Sequence, residues 1–168
     1  MSTENPYSPP SAELADSAPG ELASRWRRFF GSLIDGLLIG VITIPLVLMT
    51  GYFERASTAS QTLLETALMG IAGLAIFLAL NGYLLSTKGQ TIGKLLVRTQ
   101  IVSFDDGRLL PLAKLIGLRY VPLWVVGQVP VVGQIASLVD ALFIFRSDKR
   151  CVHDLIANTK VVNYRPAG

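Results

Sequence analysis

Charge, cysteine and histidine are all scarce in this chain. Only 16% of its 168 residues are Asp, Glu, Lys or Arg, whereas 51% are hydrophobic and the mean hydropathy is +0.48. Because soluble domains carry about 25% charged residues, this composition predicts an integral membrane protein. A single cysteine, Cys151, excludes an intramolecular disulfide, and neither it nor the single histidine, His153, belongs to a cluster with metal-ligand spacing. We therefore expect no metal and no cofactor.

Sequence signatures of enzymes and of nucleic-acid-binding proteins are also missing. The segment GQTIGKL at 89–95 has three residues between its glycines where a phosphate-binding loop has four, and it has Leu95 where that loop needs Ser or Thr. No serine nucleophile elbow is found. The basic residues flank apolar runs, so the net charge of +3 indicates membrane topology and lipid headgroups rather than nucleic acid. We expect a protein that is not an enzyme and that partners with the lipid bilayer.

Four apolar segments follow a polar tail. Residues 1–22 are rich in Ser, Pro and Ala without hydrophobic periodicity, which predicts a disordered cytoplasmic tail before a membrane domain at 23–165. The expected spans cover about 29–50, 62–86, 111–128 and 131–146. The last two are shorter than the ~20 residues of a standard span, and the turn around Pro130 makes them a hairpin of two short helices or a re-entrant pair. Pro122 is expected to kink the first arm. The fold class is an all-α integral membrane protein with about four transmembrane helices.

The distribution of basic residues predicts the orientation. Lys and Arg precede the first span, fill the segment 88–110 and follow Arg146, so the positive-inside rule makes both termini and this segment cytoplasmic. The membrane is expected to be a bacterial plasma (inner) membrane. The same segment contains LLVRTQIVSFDDGRLL, in which Asp105, Asp106 and Gly107 are a hairpin-turn signal. A small cytoplasmic β-element is therefore expected, to which NTKVVNY near the C-terminus adds a strand.

Polar side chains inside the apolar segments form the candidate site. An Asp near a helix centre costs roughly 2.5–3.5 kcal/mol in a membrane, so Asp35 needs a partner or an ion. It lies seven residues after Arg28, about two helical turns, and the two share a face. Asn81 and Asp140 lie at a similar depth, and Arg119 can reach that layer by snorkelling. We predict an intramembrane polar cluster of Asp35, Asn81, Arg119 and Asp140, with Arg28 at its mouth.

Two interpretations of this cluster stay open. It is an ion-paired arrangement that fixes helix packing, or it binds a proton or a monovalent cation, since neighbouring carboxylates in a low dielectric exchange protons. Beside it, the small residues Ser32, Gly36 and Gly40 permit close helix contact, for which packing within the monomer is favoured over a homo-oligomer. Asp154 is expected to cap or pair near the C-terminal segment, because adjacent helical residues such as His153 and Asp154 point about 100° apart.

Three stretches, RRFFGSLID, KGQTIGKLLVRTQIVSFDDGRLLPLAKLIGLR and LVDALFIFRSDKRCVHDLIANTKVV, resemble the RDD family of small integral membrane proteins, named for one arginine and two aspartates. The resemblance covers about 24–164. It implies Arg28 as the motif arginine, Asp35 as the first aspartate, and either Asp140 or Asp154 as the second. It also implies transport of ions or small ligands, which the carboxylates would couple to a cation or proton. The alternative is a non-catalytic membrane scaffold or assembly partner, suggested by the β-element and the tail.

Overall fold

The computed structural model describes residues 20–129 and 131–164, and its architecture begins with two long helices. Helix α1 spans Arg25–Met49 and helix α3 spans Leu63–Lys88, with the short α2, Tyr52–Ser57, between them. Ser24 caps α1, and a capping box of Thr62 and Glu65 begins α3. At 25 and 26 residues, both are apolar and long enough to cross a bilayer, as the sequence predicted.

The other two apolar segments form shorter helices. Residues 112–127 make one continuous run, in which a π-helical turn, Ile116–Tyr120, separates α5, Leu112–Leu115, from α6, Val121–Gly127. Pro122 donates no backbone hydrogen bond, and the helix forms its π turn directly before this residue. The sequence had predicted a kink at Pro122. After a turn, α7, Val132–Leu142, runs into a 3₁₀ turn, Phe143–Phe145, and packs against α6. The expected pair of short helices is thus present.

A two-stranded antiparallel sheet lies beside the ends of the helices. Strand β1, Thr99–Ser103, pairs with β2, Thr159–Asn163, and Ile101 lies opposite Val161. The strand expected from NTKVVNY is confirmed. The expected small β-element is therefore present. The turn signal at Asp105–Gly107 does form a turn, but among the described residues no second strand follows it directly, and β1 pairs with β2 instead. Ile101 and Val161 are almost completely buried against Leu85 and Leu115, and burial of this apolar face favours the long-range partner.

The chain before α1 is anchored to this sheet. Leu22 forms a β-bridge with Val162, and Ala23 donates a backbone hydrogen bond to Val161 at 3.0 Å. The structured region therefore begins before residue 23, so residues 20–22 do not belong to a disordered tail as the sequence predicted. Residues 1–19, the rest of the expected tail, lie outside the described residues.

Helix α4, Ile92–Leu96, packs closely against the first half of α1. A Cβ atom added to Gly93 would lie 2.0 Å from the carbonyl oxygen of Gly31, so only a glycine fits at this contact. The predicted small-residue stripe has no such role within the described residues. Gly36 has no neighbour within 4 Å of an added Cβ, and Gly40 meets only Ile44 of its own helix. The expectation that the stripe packs within the monomer was wrong.

Candidate functional site

Asp154 is the centre of a buried charge network. It lies in the short helix α8, Val152–Ile156, and its side chain is completely buried. Arg28 of α1 binds one carboxylate oxygen and Arg119 of the π turn binds the other. The backbone N–H of Cys151 and the hydroxyl of Thr159 donate further hydrogen bonds, at 3.1 and 3.2 Å. The prediction that Asp154 caps and pairs near the C-terminal segment is confirmed, and the network ties α1, the π turn, α8 and β2 together.

The electrostatics of this network keep Asp154 ionised. Burial alone raises the pKa of a carboxyl group, but the guanidinium groups of Arg119 and Arg28 outweigh this effect and hold the pKa of Asp154 well below its usual range. One anion therefore faces two buried cations throughout the physiological pH range. Breaking such a buried arrangement is costly, which makes this network a structural feature.

Asp35 has different partners from those the sequence predicted. Its carboxylate accepts hydrogen bonds from the hydroxyl of Thr91 at 2.5 Å and from the backbone N–H of Gly93 at 2.7 Å. The ammonium group of Lys94 lies 3.8 Å away. The segment GQTIGKL, rejected as a phosphate-binding loop, thus supplies its hydroxyl and amide groups to an internal carboxylate. Arg119 does not pair with Asp35, because Asp154 occupies it.

Asn81 holds the start of α4 from the other side. Its side-chain oxygen accepts the backbone N–H of Ile92 at 2.9 Å, and its amide donates to the carbonyl of Phe77 at 3.2 Å. The predicted single cluster therefore divides into three groups: Asp35 and Asn81 at the start of α4, Arg119 with Asp154, and Asp140 elsewhere. Spacing along each helix predicted a common depth, but depth does not determine on which side of a neighbouring helix a residue lies.

Asp140 pairs with His153. The imidazole Nδ1 lies 2.7 and 2.9 Å from the two carboxylate oxygens, and the backbone N–H of His153 also donates to Asp140 at 2.9 Å. Burial, and then the positive charge of Arg119, lower the pKa of His153 despite its hydrogen bond to Asp140. The imidazole is therefore neutral at pH 7. Sequence reasoning did not assign His153 to the site, because its partner is 13 residues away along the chain.

Three potential metal ligands also meet near this pair. Ligand atoms of Asp140, Cys151 and His153 lie within 4.8 Å of one another. However, Arg28 approaches the Cys151 sulfur at 3.4 Å, and burial raises the pKa of the thiol to about 11. Metal binding needs the thiolate, and the adjacent guanidinium opposes a second cation. The absence of a metal site remains a prediction.

Two cavities lie at opposite ends of the helix bundle. The basic cavity, of about 620 Å³, opens beside the first two turns of α1 and the end of α7, and its polar lining includes Arg25, Arg28, Lys94, Arg119, Asp140 and His153. The apolar cavity, of about 450 Å³, lies toward the other ends of α1 and α3, and its lining includes Ile39, Gly70, Phe77, Tyr120, Trp124 and Gln128. Asp35 lines neither cavity and lies between them along α1.

The π turn contributes one residue to each cavity. Arg119 lines the basic cavity, and its neighbour Tyr120 lines the apolar one. Within residues 20–129 and 131–164, the Tyr120 hydroxyl is buried and has no hydrogen-bond partner. Single-turn π helices occur frequently at functional sites, since the extra residue redirects side chains. Tyr120 and Lys94 were not predicted as site residues, because neither interrupts an apolar pattern.

The fold and the site are those of a helical membrane protein. It has two long and two shorter apolar helices, and a polar network is buried among their ends. The model of the RDD family matches residues 22–158, most of the chain, and the protein belongs to this family. Comparison with curated proteins and with solved structures gives no match.

Proposed function

We propose that this protein transports an ion or a small ligand across the bacterial plasma membrane and couples this movement to protons. The proposal rests mainly on one observation, namely that the adjacent residues Arg119 and Tyr120 line two different cavities, the first beside the N-terminal half of α1 and the second beside its C-terminal half. In this proposal the helices at 112–127 and 132–145 complete a four-segment bundle. Both termini are cytoplasmic, so the basic cavity faces the cytoplasm.

The π turn is the barrier that such a transporter has to open. Carriers expose one site alternately to the two sides, and irregular helix turns within the membrane are found where they line a cavity. Here the irregular turn carries one side chain into each cavity. A change in the π turn would move Arg119 and Tyr120 together, because they are consecutive residues.

His153 and Asp140 are the proposed proton site. They line the basic cavity, and the neutral imidazole, whose pKa burial lowers, would take up a proton only from the more acidic side of a pH gradient. Asp35 is a poorer candidate, because Thr91 and Gly93 already occupy its carboxylate oxygens. The cationic lining of the basic cavity favours an anionic ligand over a free monovalent cation.

Flux through proteoliposomes tests the proposal. Vesicles that contain the purified protein and an entrapped pH-sensitive dye are challenged with gradients of sodium, potassium and phosphate in turn. We expect at least one gradient to drive a pH change in wild-type vesicles and not in Asp140→Asn vesicles. Asp148→Asn is the matched control, because this carboxylate pairs with Arg146 outside both cavities and should leave the flux unchanged. The proposal would be contradicted if wild-type vesicles showed no larger pH change than protein-free vesicles for all three gradients.

A membrane scaffold is the second candidate. It is favoured by the face of α1 with Ser32, Gly36 and Gly40, which has room for another helix beside Gly36. Close helix association in membranes uses such small residues. A scaffold should form stable oligomers that Gly36→Leu dissociates, with no flux in any gradient. Crosslinking in the membrane combined with the flux assay distinguishes the two functions.

A further inference from the structure

The basic cavity has more positive than negative charge. Arg25, Arg28, Lys94 and Arg119 line it, together with one carboxylate, Asp140. Asp35 and Asp154 lie behind the lining and pair with three of these cations. Four cations and three carboxylates leave one positive charge in excess while His153 is neutral. A site with this charge favours an anion.

Lys94 has hydrogen-bond donors to spare. The Lys94 ammonium makes no hydrogen bond with any residue in 20–129 or 131–164, and its nearest carboxylate oxygen, on Asp35, is 3.8 Å away. Its side chain is 12% exposed. Arg119, in the same lining, makes its hydrogen bonds to Asp154 and Thr159 through Nη1. Burial lowers the pKa of Lys94 to about 8, and Asp35 offsets part of this effect. A bound anion would stabilise the charged form.

The basic cavity also has exposed apolar residues in its lining, which form its rim. Trp26, Phe29, Leu142 and Phe145 line the opening and are between 53% and 71% exposed. Trp26 stacks on Phe30, and Arg25 lies over the Phe145 ring. Aromatic residues next to basic residues are typical of the headgroup level of a bilayer. A ligand bound in this cavity would therefore place its negatively charged group among the cations and its apolar part along the rim.

We propose that the basic cavity binds an anionic phospholipid from the surrounding leaflet, with its phosphate between Lys94 and Arg119 and its acyl chains against Phe29 and Leu142. Basic pockets between helices on the cytoplasmic side are suited to anionic headgroups. A free phosphate ion has the same charge, but it would leave the apolar rim unused. The inference deepens the proposed function, since it names the class of ligand that occupies the cavity of the proposed transporter.

Native mass spectrometry of the purified full-length protein tests this inference. The protein is released from mixed micelles with equal amounts of phosphatidylglycerol and phosphatidylcholine, and its lipid adducts are counted. We expect the wild type to retain phosphatidylglycerol over phosphatidylcholine by about tenfold. Lys94→Gln should lose this preference. Lys114→Gln, which removes an exposed lysine away from both cavities, should keep it.

Several outcomes would overturn the inference. These are equal retention of the two lipids by the wild type, and an unchanged preference in Lys94→Gln. If Lys94→Gln does not fold, Lys94→Met, which places an uncharged apolar side chain of similar length at this buried position, is the second variant, and an unchanged preference there has the same meaning. Displacement of the lipid by potassium phosphate, but not by potassium chloride of equal ionic strength, would assign the site to the free anion instead.

Lipid retention and transport can fail separately. Selective retention without flux would leave this inference intact and contradict transport. Flux in the vesicle assay together with equal retention of both lipids would contradict this inference and support transport.

Discussion

Replacing Asp154 by asparagine should destabilise the protein much more than the same change at Asp35. Asp154→Asn removes the counter-charge of Arg28 and Arg119, which are only 7% and 3% exposed. Removing one partner from a buried ion pair costs about 3–5 kcal/mol, and here one carboxylate serves two cations. In Asp35→Asn the side-chain oxygen can still accept the N–H of Gly93. The change also removes the counter-charge of Lys94, but Lys94 is 3.8 Å away and its pKa of about 8 lets it lose its proton, so the change should cost about 1–2 kcal/mol.

Thermal unfolding of the purified proteins in detergent measures this difference. Asp154→Asn should lower the midpoint by on the order of 10 °C, and Asp35→Asn by less than half as much. Asp148→Asn, at a carboxylate that is 30% exposed, serves as a control with an effect near zero. Adding Arg28→Met to Asp154→Asn removes one uncompensated cation and should restore part of the loss.

The pH dependence follows from the sign of the pKa shift. The folded protein holds the pKa of Asp154 below its unfolded value of about 3.9, so its stabilising contribution is complete above that pH and is lost as the pH falls through the lower folded pKa. The difference between wild type and Asp154→Asn should thus be constant from about pH 5 to 8. A midpoint for Asp154→Asn at or above that of Asp35→Asn would refute the assignment of Asp154 as the central counter-charge.

Three further predictions concern packing, reactivity and orientation. Gly93→Ala should cost about 3 kcal/mol in the same unfolding assay, because the new methyl group would clash with the Gly31 carbonyl. Gly36→Ala is the control and should be neutral, because nothing lies within 4 Å of the added Cβ. Equal effects of the two changes would contradict the close contact between α1 and α4. Cys151 should react with iodoacetamide at pH 8 more than about a hundred times slower in the folded than in the unfolded protein, and comparable rates would show the thiol to be accessible. A cysteine introduced at the exposed Arg108, with Cys151→Ser, should be labelled by an impermeant maleimide only after cells are opened; labelling of intact cells would contradict the cytoplasmic assignment.

The secondary structure was largely accessible from the sequence because its signals are local. Length and hydropathy located α1 and α3 to within a few residues, and the shortness of the last two apolar segments predicted short helices. Helical periodicity placed Arg28 and Asp35 on one face, and both are buried there. The composition of NTKVVNY identified β2, whereas the turn signal at Asp105–Gly107 suggested a hairpin. A local turn signal cannot show that β1 pairs instead with a more apolar strand, which begins 56 residues after β1 ends.

The sequence predicted most residues of the candidate site, but not which of them contact one another. Asp35, Asn81, Arg119 and Asp140 are all buried, as their positions in apolar segments indicated. The sequence also established that buried charges need partners, since the cost of an unpaired charge in a membrane is a property of the residue type.

Only the tertiary structure decided which partners meet. Asp154 lies in a polar C-terminal segment without any intramembrane signal, and it becomes the centre of the network because β2 pairs with β1 and brings α8 against α1 and the π turn. Asp140 meets His153 for the same reason. Asp35 instead accepts a hydrogen bond from α4, because Gly31 and Gly93 let that helix approach α1 closely. Sequence patterns specify depth and face along one helix, whereas the angle and distance between helices arise from packing.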